Sequence, residues 1–295
     1  MLQLSPAYME RFQPNYSYMF EFEEKFMHQK TRDWMVDHWQ TSVYSGAIYV
    51  ALIFFGRQWM ANRPKYELRG LLTLWNLGLA IFSIMGVVRT APEFYHVLKN
   101  YGFHHSVCVP SFMYNRVSGF WVWAFVWSKL PELGDTIFIV LRKQKLIFLH
   151  WYHHMTVLMY AWFSYTEYAA TARWFVFVNY SIHAMMYTYY ALKAMRYSPP
   201  QWIAMMITAL QIIQMVIGVT VTVGVYMYKA YNRQDCHVTM LNILLSTLMY
   251  ASYFVLFSKF FHEAYLSDRK PSKSLHKAAD SRVDDEYSNG KVKRN

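Results

Sequence analysis

Residues 147–164 read Ile-Phe-Leu-His-Trp-Tyr-His-His-Met-Thr-Val-Leu-Met-Tyr-Ala-Trp-Phe-Ser, an apolar run of the length that crosses a hydrocarbon core as one helix. Three histidines interrupt it: His150, His153 and His154. Spacing of i, i+3 and i+4 brings their imidazoles to one helix face. A charge at mid-bilayer costs about 2.5–3.5 kcal/mol on insertion scales, so ionisable groups at that depth usually mark a working site. Imidazole serves as base, acid, metal ligand or nucleophile near neutral pH. A lone His183 lies in the next apolar run.

The rest of the chain has the same character. Of 295 residues, 55% are hydrophobic and only 16% are charged, against roughly 25% charged in soluble domains. Seven runs are predicted to span, at about 41–60, 71–88, 117–140, 147–164, 173–192, 201–225 and 238–261. The composition therefore implies an all-α integral membrane protein, a seven-transmembrane-helix bundle forming one domain over 39–265. Residues 1–38 form a segment ahead of it, in which 20–38 mixes aromatics and charges and predicts an interfacial amphipathic helix. Glu10, Glu21, Glu23 and Glu24 argue against a cleaved signal peptide there. The tail, 266–295, is rich in Lys, Ser and Asp and is predicted to be disordered and cytosolic. Net charge is +11, but no basic stripe with base-stacking aromatics accompanies it, which speaks against nucleic acid.

Loop charges orient the bundle. Arg57, Arg63, Lys65 and Arg69, then Arg142, Lys143 and Lys145, then Lys193 and Arg196 occupy alternate loops. The loops between them carry fewer cations together with Glu93, Glu167 and Asp235. The denser side is cytosolic by the positive-inside rule, which puts the N-terminus in the lumen. Three further signals agree. Asn15-Tyr16-Ser17 is a glycosylation sequon on the side expected to be lumenal. Cys108 and Cys236 both fall in lumenal loops, where a disulfide persists. Lys291 and Lys293, near the end of the sequence, have the spacing of a dilysine retrieval signal read from the cytosol. The expected location is the endoplasmic reticulum membrane. Asn179-Tyr180-Ser181 is a second sequon, but it lies inside a span.

Several reactions compete for the histidine box. Membrane desaturases and hydroxylases also carry His-x-x-His-His, but their two irons need about eight histidines, more than one box and His183 supply. A single zinc on three or four imidazoles is geometrically open, although adjacent His153 and His154 diverge by about 100° on a helix. A non-catalytic lipid carrier is the remaining alternative. Lys129, Glu132 and Asp135 share a face of the third span; they either brace each other or orient imidazoles. Arg142, Lys143 and Lys145 stand just before the box, where they anchor the helix or meet phosphate. Asn179, His183, Tyr187 and Tyr190 follow helical spacing in the fifth span, and Thr208, Gln211 and Gln214 in the sixth. Gln214 suits interhelical hydrogen bonding. Both thiols lie on the far side from the basic mouth, so an acyl-transfer enzyme here would need an imidazole as nucleophile in place of cysteine.

Four ordered blocks then carry a resemblance: Lys129-Leu-Pro-Glu-Leu-Gly-Asp-Thr-Ile-Phe138, the stretch Leu141–His154, Asn179-Tyr-Ser-Ile-His-Ala-Met-Met-Tyr187 and Thr208-Ala-Leu-Gln-Ile-Ile-Gln214. Over roughly 25–265 the chain resembles the very-long-chain fatty acid elongase family of the endoplasmic reticulum, most of all its branch for saturated and monounsaturated chains. The resemblance implies a helical bundle enclosing a narrow acyl tunnel. The implied reaction condenses a long-chain acyl-CoA with malonyl-CoA to a 3-oxoacyl-CoA, releasing CO2 and CoA, with no resident cofactor or metal. By the same matching His153 is the nucleophile and His183 a second histidine at the reacting carbon. Lys129, Arg142, Tyr189, Thr208 and Gln211 would contact the CoA-bearing ligand, and Cys108 would be bonded to Cys236. Our reading of the residues adds Lys143 at the mouth, Asn179 and Tyr187 as oxyanion partners, and His150 and His154 as proton relays. Expected partners are the two CoA substrates, membrane lipids and the reductases and dehydratase of the cycle, and a homo-oligomer stays open.

Overall fold

The computed structural model describes residues 5–267. Lys291, Lys293 and nearly all of the predicted tail lie outside them. The described residues are helical, with no strand among them. In order the helices are α1 (Pro6–Glu10), α2 (Glu21–Glu24), α3 (His28–His38), α4 (Thr41–Met60), α5 (Arg69–Cys108), α6 (Ser111–Tyr114), α7 (Arg116–Glu132), α8 (Gly134–Leu141), α9 (Phe148–Thr166), α10 (Ala172–Ala194), α11 (Gln201–Ala230) and α12 (Met240–Phe261). Every predicted apolar run coincides with helix. Three helical stretches are long and apolar enough to cross a membrane by length and composition alone: Arg69–Cys108, Gln201–Ala230 and Met240–Leu266. Large apolar side chains such as Leu52, Phe55, Leu74, Ile81, Leu248 and Val255 point outward, a surface that suits lipid rather than water.

Local chemistry sets the helix ends. Asn115 caps α7 by accepting from the backbone of Val117 and Ser118, each at 3.0 Å, which meets two donors that a helix start leaves open. Thr239 does the same for α12 through Asn242 N at 3.1 Å. Pro131 closes α7: its ring removes a donor and crowds the preceding turn. The expected 117–140 span is accordingly two pieces, joined at Leu133, with Gly134 lying so close to Trp75 that an added Cβ would sit 2.8 Å from its ring.

Two elements differ from the sequence expectation. The span predicted to stop at 88 continues as helix through Arg89, Glu93 and Lys99, and turns only at Gly102, whose φ of 77° suits glycine. The charges that suggest a loop are partly internal. Glu93 and Arg173 are both buried, with Arg173 Nη2 2.9 Å from Glu93 Oε1 and Nη1 donating to the carbonyls of Ser106 and Val109 at 2.6 and 3.0 Å. The second difference is the N-terminal segment. In place of one helix over 20–38 there are α2 and α3, and both dock on the bundle. Glu23 accepts from Arg89 Nε at 2.8 Å and Trp121 Nε1 at 2.7 Å. Met35 is fully enclosed in a core with Phe112, Trp121, Leu158, Trp162 and Tyr180.

Lipid offers no hydrophobic drive between helices, so packing and hydrogen bonds hold the bundle. At Gly86 on α5 the ring of Tyr180 on α10 comes so near that a Cβ would lie 2.5 Å from it, and Tyr180 donates onward to Trp121 O at 2.9 Å. Cys108 and Cys236 form a disulfide that ties the end of α5 to the segment entering α12.

Candidate active site

A cavity of about 180 Å³ opens between α8, α9, α10 and α11, with the start of α9 and the end of α12 at its rim. The first turns of α9 place His150, His153 and His154 in its wall, and α10 supplies Asn179, His183, Tyr187 and Tyr189. Thr208 and Gln211 face it from α11. Helical spacing is the reason: each group lies on one face of its helix, turned inward because the opposite face is apolar.

Each imidazole has its own surroundings. His150 Nε2 lies 2.9 Å from Thr136 Oγ1, which lies 2.6 Å from the Tyr49 hydroxyl. This chain of polar atoms joins α9, α8 and α4. The His150 and His154 rings are 4.4 Å apart, and those of His153 and His154 5.4 Å apart at 87°. The divergence expected of adjacent helical residues is thus present. His183 Nδ1 lies 3.9 Å from Glu132 Oε2. Glu132 in turn accepts from Lys129 Nζ at 2.7 Å and Ser128 Oγ at 2.8 Å, and Lys129 Nζ reaches Asn179 Oδ1 at 3.4 Å. A charged brace therefore backs the two α10 groups.

Asp135 lines the same cavity. It accepts from Trp75 Nε1 at 2.7 Å and from the Tyr187 hydroxyl at 2.9 Å. The Tyr187 proton is thereby given to a carboxylate rather than to the cavity. Asn179, whose oxygen faces Lys129, keeps an amide nitrogen that can donate.

Three residues expected at the ligand stand outside the lining of this cavity. Lys129 is 2% exposed and stands behind the cavity wall in its bridge with Glu132. Arg142 lines a smaller neighbouring cavity of about 40 Å³, shared with Asp135, Gln144 and Lys145. Lys143 is exposed and donates to Ala61 O at 2.9 Å, at the end of α4, where a helix welcomes a cation. Lys145 is the cation that does line the main cavity. Spacing alone did not single out Tyr49, Thr136 or Trp75, since each earns its place through a partner distant in sequence.

Below the histidines a second cavity, about 60 Å³, lies between α7, α9, α10 and α12. His153, Asn179 and Gln214 line both spaces, so Gln214, expected to serve as an interhelical tie, borders the two cavities. Away from these three residues the wall of the second cavity is almost wholly apolar or aromatic, from Val122, Phe125 and Val157 to Phe112, Met113, Tyr165 and Tyr168. Among the described residues, one trio of possible metal ligands lies close enough to share an ion: His104, Cys108 and Cys236. Two of its members are already bonded to each other.

The chain as a whole is similar to known proteins. Residues 34–273 match the family described as ELO: GNS1/SUR4 family. The chain is 59% identical over 256 residues to "Very long chain fatty acid elongase 6" of Drosophila melanogaster, covering 86% of this chain and 81% of that one. It is 48% identical over 256 residues to the Homo sapiens protein of the same name, covering 86% and 96%. To "Very long chain fatty acid elongase 3" of Homo sapiens it is 41% identical over 273 residues, covering 92% and 97%.

Proposed function

This chain belongs to the ELO family, GNS1/SUR4, and from that premise we propose how its cavities serve the family's work. It is a condensing enzyme of fatty acid elongation, an acyltransferase that joins a saturated or monounsaturated acyl-CoA to a two-carbon unit from malonyl-CoA. One observation carries the mechanism: a polar, histidine-lined chamber meets an apolar one at His153, Asn179 and Gln214. A thioester has a polar head and an apolar tail, and in this reading its carbonyl lies beside His153, where the two linings meet.

The acyl chain enters the apolar cavity, each buried CH2 contributing about 0.8 kcal/mol relative to water. The CoA head stays in the wider chamber near Lys145, Tyr189, Thr208 and Gln211, with Arg142 and Lys143 attracting its phosphates from outside the wall. A neutral His153 nitrogen attacks the thioester carbon. The C–S bond breaks, CoA leaves as thiol, and the ring keeps the acyl group. Malonyl-CoA then loses CO2, and its enolate carbon attacks the acyl-imidazole and frees His153. Asn179 donates to the oxyanion in each half. Tyr187, held by Asp135, fixes the wall beside it, while His150, His154 and His183 carry protons. The reaction so written needs no resident cofactor.

The seven helices α4, α5, α7 with α8, α9, α10, α11 and α12 span the membrane of the endoplasmic reticulum, with the N-terminus lumenal and the C-terminus cytosolic. The disulfide supports that orientation, as does the exposure of Asn15 against the burial of Asn179. Residues 39–265 form the catalytic domain, and its product passes to the reductases and dehydratase that complete a cycle.

The test uses acyl-CoA alone. The purified protein is expected to release one CoA per active site and gain one acyl mass on His153, with hydroxylamine removing it. His153→Gln should keep acyl-CoA binding and lose turnover by about a thousandfold or more. Turnover only from a complex holding both CoA substrates, with no adduct, would sink the covalent route.

A further inference from the structure

The far end of the apolar cavity is formed by two tyrosines held from outside the bundle. Tyr165 and Tyr168, at the end of α9 and in the turn after it, line that end with Phe112 and Met113. Both hydroxyls bond to α3. The Tyr168 hydroxyl donates to His28 O at 2.8 Å and lies 2.8 Å from His28 Nδ1. The Tyr165 hydroxyl lies 2.8 Å from Thr31 Oγ1, which itself donates to His28 O at 2.9 Å. Arg32 closes the cluster, its guanidinium 5.0 Å above the Tyr168 ring and its Nε donating to Thr166 O at 3.0 Å. Tyr168 has a φ of 51°, a conformation a bulky residue keeps only where its surroundings hold it.

We infer that α3 is a clamp on the cavity floor, with His28 and Thr31 as positioning residues that set the longest acyl chain the protein elongates. Resting on the condensing function above, it adds a role for a segment ahead of the expected catalytic domain. A buried phenol turns aside only by breaking its hydrogen bond, and here the partners are on a separate helix, itself packed through Met35. A chain that ends above the rings leaves them in place. A longer one has to push them off α3.

The experiment offers saturated acyl-CoAs rising by two carbons, with malonyl-CoA, to the full chain in detergent, and reads products by mass. The double variant His28→Ala with Thr31→Val removes the imidazole and the threonine hydroxyl, leaving the Tyr168 phenol only the carbonyl of residue 28, and should accept at least one further two-carbon round. On the first acyl-CoA that the wild type refuses, its rate should rise about tenfold, the scale of one lost clamp bond. The rate on the shortest good substrate should stay within about twofold. Thr31→Ser, which keeps the hydroxyl, should keep the wild-type limit. Tyr168→Phe removes the bond from the other side while leaving the ring, and should move the limit upward even if the double variant folds poorly. An unmoved limit in Tyr168→Phe overturns the clamp, as does an equal fall in rate at every length. An active wild type together with an unmoved limit in Tyr168→Phe sinks the clamp alone; a wild type giving no 3-oxoacyl product sinks the condensing function with it.

Discussion

Lys129 and Glu132 stand one helical turn apart at 2% and 3% exposure, 2.7 Å between charges. Two ions taken from water repay their desolvation only in good geometry with every remaining valence met. Ser128, Asn179 and His183 meet them here, so the brace also sets where two cavity residues lie. Lys129→Met would leave Glu132 buried without its cation, at a cost of about 3–5 kcal/mol, and turnover should fall about 10–100-fold as Asn179 and His183 lose their frame. Adding Glu132→Gln should restore most of the stability but not the rate. Thermal unfolding in micelles and initial rates check the pair; a single variant as stable as the wild type would show the bridge holds nothing. The sequence made part of this site legible. His150, His153, His154, Asn179 and His183 were visible because polar groups inside apolar runs are costly and helical spacing gives their face. Lys129, Arg142 and Lys143, expected at the ligand, stand outside the lining of the main cavity, because a long side chain chooses its partner in space: Lys129 meets Glu132 and Lys143 meets Ala61. Thr136 and Tyr49 were hidden for the same reason, being 87 residues apart.

Whole elements were easier to see than their ends. Each apolar run became helix, but Arg89, Glu93 and Lys99 suggested a loop where α5 runs on, because nothing local announces that Glu93 will meet Arg173. The segment ahead of α4, expected to hold one helix over 20–38, holds two, and Glu23 fastens it to the bundle. Burial alone would raise the Glu23 carboxyl, but hydrogen bonds from Arg89, the Phe20 amide and Trp121 hold it below its ordinary value of 4.5. A carboxyl depressed in the folded state stabilises fully above its unfolded value and loses that contribution as pH falls through the folded one. The N-terminal segment should therefore keep constant hydrogen-exchange protection from neutrality to about pH 5 and lose it progressively below 4.5. In Glu23→Gln protection should be lower at neutrality and flat across the same window. A wild type equally flat would mean that Arg89 and Trp121 do not anchor the segment. The same fastening gives α3 its leverage on the floor. One extra round buries two methylenes, worth about 1.6 kcal/mol, whereas unmaking a buried hydroxyl bond costs about 1–3 kcal/mol. Two such bonds outweigh one round, while a single one is near balance.

Across the molecule the two ends have opposite chemistry. Lys145, Arg142, Lys143 and the histidine chamber gather at one end; the disulfide, the α3 cluster and the Glu93–Arg173 pair gather at the other. The Cys108–Cys236 bond closes 128 residues of chain, the whole of α6 to α11. Loop entropy alone gives such a closure about 5 kcal/mol. In a membrane this is an upper bound, because helices that stay inserted after unfolding have already lost much of that freedom. The bond also holds local structure: His237 N donates to Cys108 O at 2.8 Å and Ala170 N to His237 O at 3.1 Å, joining three segments at the floor end. Replacing both cysteines by serine should lower the apparent midpoint of thermal unfolding in detergent by an amount matching about 2–4 kcal/mol. It should leave the rate at low temperature within about twofold, since no reacting group lies at that end. Dithiothreitol on the wild type should reproduce the shift and have no effect on the serine pair. Scanning fluorimetry and rates measured before and after brief heating separate the two effects. A serine variant as heat-resistant as the wild type would mean that helix packing alone, of the kind seen at Gly86 and Tyr180, holds the floor end together.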